Sequence, residues 1–201
     1  MFISKYMQEI IKKRLLKSGD KILDIGGGRY AFPGATHVID RRSKKQALGR
    51  SEKFLKEIKW IQRDFYDLPW DIEDNYFDFS ICLGTVEDVR DPISLLREIS
   101  RVSKAGVITT PTRALESNPC IDNRSPLENG IVGWSHHRWF VEIVNEKLTF
   151  THKTQLIDLY KKYKIWDIRQ EHLYYFWQGE ILMTEVSTPR AEMVFKDALR
   201  F

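Results

Sequence analysis

Short apolar runs, several of them ending in a carboxylate, recur through the first half of the chain. One runs from Lys21 to Ile25 and is followed directly by Gly26-Gly27-Gly28, and a second runs from Thr36 to Asp40. Runs of this length between turn residues are typical of strands buried on both faces of a parallel sheet. Three more runs of the same kind predict strands at Trp60–Asp64, Phe77–Leu83 and Ala105–Thr110.

Apolar residues at helical spacing predict four helices. Their expected ranges are Ile3–Leu16, Ser51–Lys59, Pro92–Arg101 and Gln155–Tyr163. The third has the clearest start, because Asp91 stands at the capping position and a proline occupies the first helical position. The segment from Arg41 to Arg50 is basic and polar, and we expect a loop there.

The pattern changes after Pro111. Residues 112–135 hold few apolar positions and predict a long loop of the kind that forms lids or binding loops. Four later segments are rich in apolar and aromatic residues and predict two antiparallel hairpins, the first of which turns at Asn145-Glu146. The first hairpin pairs Arg138–Val144 with Lys147–Thr151, and the terminal hairpin pairs Leu173–Trp177 with Ile181–Val186.

Together these elements predict an α/β fold that is Rossmann-like, with a central, mostly parallel sheet flanked by helices. The terminal antiparallel hairpin and an extra β-hairpin after strand five complete it. No internal repeat or low-complexity linker interrupts the chain, so we expect a single domain over residues 1–201. Residues 112–152, the long loop and the first hairpin, form an insertion in this scheme.

Composition narrows the class of protein only slightly. Hydrophobic residues make up 42% of the 201 positions, which predicts a folded core, and the net charge of +4 permits nucleic-acid binding without arguing for it. Cys82 and Cys120 have no metal-ligand spacing, and Cys82 lies in an apolar strand pattern. No apolar run approaches the roughly 20 residues of a membrane span. These features predict a soluble, cytoplasmic protein.

The glycine loop after the first strand is the natural place for a ligand. In open α/β sheets ligands bind outside the carboxyl ends of the strands, and glycines let a ligand approach the backbone closely. Asp24 adds a negative charge there, so a ligand with a positive charge is favoured. Asp40 ends the second strand, which is the usual position of a carboxylate that binds a ribose diol.

Three stretches together resemble class I S-adenosylmethionine-dependent methyltransferases of the broad type 11 group. They are Ile22-Leu23-Asp24-Ile25-Gly26-Gly27-Gly28, then Asp64-Phe65-Tyr66-Asp67-Leu68-Pro69-Trp70, and then the segment Phe77–Val89 running into Asp91-Pro92. They cover about residues 20 to 110, in the order and spacing of the family's motifs. One such motif alone would be weak evidence, but three in order are strong.

The resemblance implies S-adenosylmethionine as the cofactor and assigns a role to each matching residue. The three glycines would meet the methionine part, and Asp24 would hold its amino end. Asp40 would bind the ribose hydroxyls, with Arg41 beside it as a further candidate. The remaining implied contacts are adenine at Asp64 and the Phe65 backbone, and the sulfonium side at Leu83 and Gly84.

The chain also departs from the family pattern. Tyr30 stands where a third small residue is usual, Asp88 replaces the common histidine after Glu87, and the first crossover is short. A subset of the family resembles the chain more fully, with a similar short crossover and a later His-His-Arg-Trp.

Two other functions fit part of the sequence. Gly26-x-Gly28-x-x-Ala31 satisfies the dinucleotide pattern of an NAD(P)-dependent oxidoreductase. That pattern requires a full helix, which Phe32-Pro33-Gly34 would end at once, and it leaves Asp64 unexplained. The second alternative is a catalytically inactive methyltransferase-fold binding protein, which the departures at Tyr30 and Asp88 leave open.

The acceptor side is expected in the segment after strand five, where Gly133–Trp139 is rich in functional side chains. His136 or His137 would act as a base or orienting group, and Arg138 would bind an anionic group. Because neighbouring strand residues point to opposite faces, only one histidine is expected to face the site. We expect no metal, because no third ligand is spaced for one. A small molecule or glycan is the preferred acceptor, RNA is not excluded, and no membrane partner is expected.

Overall fold

The computed structural model describes residues 5–48, 57–118, 133–153 and 171–186. The chain divides into two compact units, and each is considered by itself. The first unit comprises residues 1–85, 91–109 and 175–181. The second unit comprises residues 86–90, 110–174 and 182–201.

A six-stranded sheet with the order β3-β2-β1-β4-β5-β8 organises the first unit. Neighbouring strands from β3 to β5 are parallel, as the sequence predicts. Every residue of β1 and β2 is buried, which explains the unbroken apolar runs of these strands. The strands are β1 (Ile22–Ile25), β2 (His37–Asp40), β3 (Lys59–Gln62), β4 (Phe79–Leu83), β5 (Ala105–Pro111) and β8 (His172–Gln178).

The connection between β1 and β2 contains no full helix, in agreement with the sequence. It holds a single 3₁₀ turn at Gly28–Tyr30, in which the Tyr30 amide donates to the Gly27 carbonyl at 2.8 Å. The Phe32 amide then donates to the Asp24 carboxylate. A carboxylate of β1 therefore stabilises the return of the chain to the sheet.

Three helices belong to the first unit, and one corrects the sequence analysis. The segment expected to be a loop between Arg41 and Arg50 contains a helix, because Ser43 and Gln46 form a capping box. The Gln46 amide donates to Ser43 Oγ at 3.3 Å, and the Ser43 amide donates to Gln46 Oε1 at 3.0 Å. The helices are α1 (Lys5–Ile10, continued by a π-helical turn over Ile11–Leu15), α2 (Lys44–Leu48) and α3 (Pro92–Val102).

Helix α3 confirms its predicted start and is tied to the chain before β4 by a buried charge network. The Asp91 side chain accepts from the Ser94 amide at 2.9 Å, which caps the helix. Arg101 donates to both oxygens of the buried Glu98 at 2.6 and 3.1 Å, and to the carbonyls of Trp70 and Ile72. This guanidinium fixes the Trp70–Ile72 segment against the helix.

Two predicted helices fall largely outside the described residues. The segment 155–163 lies outside entirely, as do residues 51–56 of the expected Ser51–Lys59 helix. The end of the latter prediction is wrong, because Lys59 is the first residue of β3. Its amide donates to the Thr36 carbonyl, so the parallel ladder with β2 sets the conformation here.

The second unit is built on a three-stranded sheet with the order β6-β7-β9. The predicted hairpin is confirmed, and Asn145 and Glu146 at its turn have φ of 49° and 65°. Positive φ at both central residues is the geometry of a two-residue type I′ turn. The elements are α4 (Arg113–Glu116), β6 (Trp139–Val144), β7 (Lys147–His152) and β9 (Met183–Val186).

The predicted terminal hairpin is wrong. β8 is the edge strand of the six-stranded sheet, whereas β9 pairs with β7 in parallel in the small sheet. The Leu148 amide donates to the Leu182 carbonyl just before β9 begins. The backbone groups along one edge of β7 pair with β9, and the short distance in sequence between β8 and β9 does not indicate this pairing. Within the described part of the chain, no helix is long and apolar enough to cross a membrane.

Candidate functional site

The six-stranded sheet reverses its strand order between β1 and β4, and a cavity of about 350 Å³ opens at their carboxyl ends. Ligands of open α/β sheets bind at such a switch point, and this volume lies within the roughly 300–1,000 Å³ of small-molecule sites. The lining residues are Asp24, Gly26, Gly27, Arg29, Tyr30, Arg42, Gln46, Ala47, Leu83 and Gly84.

The glycine loop has no room for side chains. Gly26 has a φ of 73°, and a Cβ built there would lie 2.6 Å from Thr85 Oγ1. A Cβ at Gly27 would collide with the carboxylate of Asp24. Glycine is therefore required at Gly26 by conformation and contact, and at Gly27 by contact alone, and the backbone of both faces the cavity.

Asp24 is the buried charge of this cavity. Its side chain is 1% exposed, and Oδ2 accepts from the Phe32 amide at 2.6 Å. Burial raises the pKa of Asp24 to about 7, against a usual value of 3.8, and the hydrogen bond from Phe32 only partly opposes this. A cationic ligand group would favour the ionised form, so Asp24 suits an ammonium better than a phosphate.

Asp40 lies beside the cavity and is already paired. Its carboxylate accepts from the Arg42 amide at 2.8 Å, and the Arg42 guanidinium donates to both carboxylate oxygens at 3.2 Å. Asp40 is buried, whereas the Arg42 side chain is 50% exposed and lines the cavity. A ribose diol that reached Asp40 would have to share or replace these bonds.

The structure brings only some of the predicted cofactor residues to the cavity wall. Asp24, Gly26, Gly27, Leu83 and Gly84 line it. Asp64 is exposed beyond β3, where Oδ1 accepts from the Tyr66 amide at 3.0 Å. The predicted residues outside the lining are Gly28, Asp40, Arg41, Asp64 and Phe65. The cavity thus gathers the residues assigned to the methionine end and the sulfonium, but not those assigned to adenine.

A larger cavity of about 880 Å³ lies at the amino-terminal edge of β1 and β2. Thr36, His37 and Tyr76 are among its lining residues. We place the candidate ligand site in the smaller cavity, because the carboxyl ends of the strands bring the glycine loop and the buried acid together.

In the second unit, Asp88, His136 and His137 converge. His137 Nε2 lies 3.5 Å and His136 Nε2 lies 3.9 Å from Asp88 Oδ1, and the two imidazole centroids are 4.6 Å apart. The Arg138 and Trp139 amides both donate to the Glu87 carbonyl, at 2.7 and 3.2 Å. These backbone bonds hold the Glu87-Asp88 segment against the turn that carries the histidines.

Glu116, from α4, supports this cluster from behind. Its Oε2 lies 2.8 Å from His137 Nδ1, and its Oε1 accepts from Lys153 Nζ at 2.6 Å and from the Trp134 amide at 3.0 Å. Glu116, His137 and Lys153 are almost fully buried. A Cβ at Gly133 would collide with Glu116, so the glycine there lets the loop approach the carboxylate.

Two carboxylates near the histidines have buried oxygens without a hydrogen-bond partner among the described residues. They are both oxygens of Glu87 and Oδ1 of Asp88. Burial raises the pKa of Glu87 well above its usual value, and the charge of Asp88 raises it further. Burial raises the pKa of Asp88 as well, while the nearby histidines oppose that change.

Comparison with known proteins gives a family match over less than half of the chain. Residues 23–109 match the model of the methyltransferase domain family. The match runs from β1 to β5, so it takes in the switch-point cavity and the glycine loop.

The similar proteins are matched over only part of their length. A chloroplastic 2-methyl-6-phytyl-1,4-hydroquinone methyltransferase of Spinacia oleracea is 30% identical over 94 residues, covering 42% of this chain and 27% of that protein. A methyltransferase structure from Aquifex aeolicus matches 52% of this chain and 63% of its own, at 21% identity and a TM-score of 0.44. A methyltransferase structure from Mesorhizobium loti covers 69% of this chain and 60% of its own, at 18% identity and a TM-score of 0.42. The chain thus spans about a quarter of the curated relative and less than two thirds of these structures.

That only one histidine faces the acceptor site stays a prediction, but its premise of strand alternation is wrong. His136 and His137 lie in the turn before β6, not in the strand, so the alternation of strand side chains does not separate their rings. The expectation that no third ligand is spaced for a metal is wrong, because Asp88 lies close to both rings. Arg138 is exposed, and its carbonyl accepts from the Lys153 amide.

Sequence reasoning missed several residues of both clusters. Arg42 was part of the basic run, and the Ser43-x-x-Gln46 capping box was the signal that would have placed α2 beside it. Asp88 was noticed only as a departure from the family pattern. Glu116 and Lys153 carry no signal in the sequence, since only the folded second unit brings Glu116 to His137 and Lys153 to Glu116.

Proposed function

We propose that the chain is an S-adenosylmethionine-dependent methyltransferase that transfers a methyl group to oxygen or nitrogen of a small-molecule or glycan-type acceptor. The observation that supports this most is the coincidence of the methyltransferase domain with the switch-point cavity. That cavity combines a side-chain-free glycine loop with the buried acid Asp24. A bulky cation with an ammonium group fits this combination better than a phosphorylated ligand.

In this proposal the methionine end of the cofactor lies along Gly26 and Gly27, with its ammonium near Asp24. Leu83 and Gly84 face the sulfonium. The ribose binds at Asp40 after Arg42 gives up part of its bidentate pairing. Gly28 and Arg41 are further candidate contacts of the cofactor. Adenine extends toward Asp64 and the Phe65 backbone, outside the cavity wall.

Methyl transfer from a sulfonium is an in-line displacement, so much of the rate enhancement comes from positioning and from excluding water. A hydroxyl or protonated nitrogen acceptor also requires removal of a proton. We assign the acceptor side to His136 and His137, with the exposed Arg138 pairing with an anionic group of the acceptor. The accessible imidazole of His136 supports a role in orienting the acceptor.

One observation favours a second candidate, a catalytically inactive methyltransferase-fold binding protein. Arg42 already satisfies both oxygens of Asp40, the residue assigned to the ribose. If that pairing persists, the cofactor loses its diol contact. An oxidoreductase is less well supported, because the glycine loop leads into a single 3₁₀ turn where the dinucleotide motif requires a helix.

The test is equilibrium titration with S-adenosylhomocysteine and NADH, followed by transfer of labelled methyl groups to a panel of metabolites, glycans and RNA. We expect S-adenosylhomocysteine to bind and NADH not to bind. Gly27→Val, which drives a side chain into Asp24, should weaken binding at least about tenfold, the effect of losing one good contact. Gly34→Ala is the control: its φ of 110° strains any side chain, but a Cβ there meets nothing within 4 Å and Gly34 does not line this cavity, so only folding stability should fall.

Each outcome separates the candidates. Binding with transfer to at least one acceptor supports the enzyme, and binding without transfer to any acceptor favours the inactive protein. Preferential NADH binding, or equal losses in Gly27→Val and Gly34→Ala, would contradict the cofactor site.

A further inference from the structure

Three ligand atoms in the second unit have the separation that a bound transition metal requires. One ligand atom from each of Asp88, His136 and His137 lies within 4.8 Å of the other two, and Asp88 Oδ1 lies 3.5 Å from His137 Nε2 and 3.9 Å from His136 Nε2. A tetrahedral ion with bonds of about 2.0–2.1 Å separates its ligand atoms by about 3.4 Å. Both distances from Asp88 Oδ1 lie within about 0.5 Å of this spacing, so side-chain rotation would let the three residues share one ion.

We propose that Asp88, His136 and His137 bind one divalent transition-metal ion of the zinc class. The proposal does not depend on methyl transfer, since the site is complete within residues 86–90 and 110–174. Two imidazoles and a carboxylate are a ligand set of zinc and ferrous sites that keep open positions for water or substrate.

The first supporting observation is the state of Asp88 Oδ1. This oxygen is buried and has no hydrogen-bond partner among the described residues, although two imidazole nitrogens face it. Buried polar atoms without a partner are rare in folded proteins and call for an explanation. At 3.5 Å the nearer nitrogen is at the outer limit of a hydrogen bond, whereas both distances suit an intervening ion.

The second supporting observation is the carboxylate that holds the other ring nitrogen of His137. Metal-binding histidines usually donate their other ring nitrogen to a carboxylate, which fixes the ring and its tautomer. Glu116 Oε2 lies 2.8 Å from His137 Nδ1, which leaves Nε2 directed at Asp88. Lys153 and the Trp134 amide hold the other oxygen of Glu116, so the whole relay is rigid and buried.

Charge and access complete the case. The ammonium of Lys153 pairs with Glu116 at 2.6 Å, which leaves Asp88 to the two imidazoles. The His136 side chain is 57% exposed, so an ion has a path from solvent to the site.

The experiment is titration of the metal-free full-length protein with Zn²⁺ and Co²⁺, followed by calorimetry and by visible absorption of the cobalt form. We expect one ion per chain, and d–d bands of the intensity typical of four or five ligands. His136→Gln and Asp88→Asn should each weaken Zn²⁺ binding by about 10–100-fold or more, the size of effect seen even for supporting residues. Both positions are partly exposed, so these variants should fold.

Matched controls keep the proposal falsifiable. His152→Gln removes another imidazole of the second unit, on the exposed end of β7, and should leave Zn²⁺ affinity unchanged. Mg²⁺ should bind far more weakly, because imidazole ligands do not suit it. Absence of Zn²⁺ binding, equal losses in His152→Gln and His136→Gln, or Mg²⁺ binding as tight as Zn²⁺ would each overturn the site. None of these readouts depends on methyl transfer.

Discussion

Asp24 shows how one residue can cost stability and serve binding. Its burial raises its pKa to about 7, so the folded chain binds a proton more tightly than the unfolded chain, whose carboxyl has the usual value of 3.8. The contribution of the protonated group to stability is complete below about pH 3.8 and is lost as the pH rises through 7. A buried carboxylate kept despite this cost is typical of a functional site.

Cofactor affinity should therefore depend on pH near neutrality. An ammonium near Asp24 requires the ionised carboxylate, so the dissociation constant of S-adenosylhomocysteine should rise as the pH falls below 7, approaching about tenfold per unit. Calorimetric titration from pH 5.5 to 8.5 measures this. Asp24→Asn should bind weakly with a flat profile and should gain stability relative to the wild type at pH 8 more than at pH 5. An unchanged slope in that variant would assign the proton to another group.

At the scale of elements, α3 shows that a helix can anchor irregular chain by charge as well as by packing. Its Arg101 bonds Glu98, Asp74 and two carbonyls of the Trp70–Ile72 segment. The Trp70 amide also donates to Glu98 at 2.6 Å. By contrast, the ion pair of Lys104 with Asp78, at 2.7 Å, lies at the surface just beyond the helix.

These two ion pairs should differ sharply in their effect on stability. Arg101→Met leaves the nearly buried Glu98 without its partner and should lower the free energy of unfolding by about 3 kcal/mol. Lys104→Met removes an exposed pair and should cost less than about 1 kcal/mol. Urea denaturation of both variants measures the difference. Equal losses would mean that the network around Glu98 is not a buried one in solution.

At the scale of the whole molecule, the two candidate sites fall into different compact units. The match to the methyltransferase domain family covers residues 23–109, and the switch-point cavity is lined by residues of the first unit. The histidine cluster belongs to the second unit, whose Val86–Arg90 segment lies within the matched sequence. The strand-four motif therefore continues from Leu83 and Gly84 of the switch-point cavity into Glu87 and Asp88 of the cluster.

Hydrogen exchange should reveal two separate footprints. S-adenosylhomocysteine at 100 times its dissociation constant should stabilise the chain by about 2.7 kcal/mol and slow exchange at 24–28 and 83–85. Zn²⁺ should slow exchange at 87–90 and 133–138. Mass spectrometry of peptides with each ligand alone measures both. If S-adenosylhomocysteine instead slowed exchange at Thr36 and Tyr76, the cofactor would bind in the larger cavity at the amino-terminal edge of β1 and β2.

The sequence alone determined the parallel sheet, the short first crossover, the start of α3 and the hairpin at Asn145-Glu146. Each of these follows from local rules, namely apolar runs, breakers, caps and turn residues, that hold whatever the chain later contacts. The motif order also indicated the methyltransferase domain, because its residues lie close together in sequence.

What only the tertiary structure decided depends on partners distant in sequence or on exact geometry. β8 and β9 joined different sheets because strand pairing follows open edges, and nearness along the chain does not decide it. Arg42 paired with Asp40 through a two-residue turn that no pattern of apolar positions reports. Glu116 reached His137 across 21 residues, and Lys153 reached Glu116 across 37. A turn in place of a strand brought both histidine rings close to Asp88. A sequence shows which groups a chain carries, and the fold decides which of them meet.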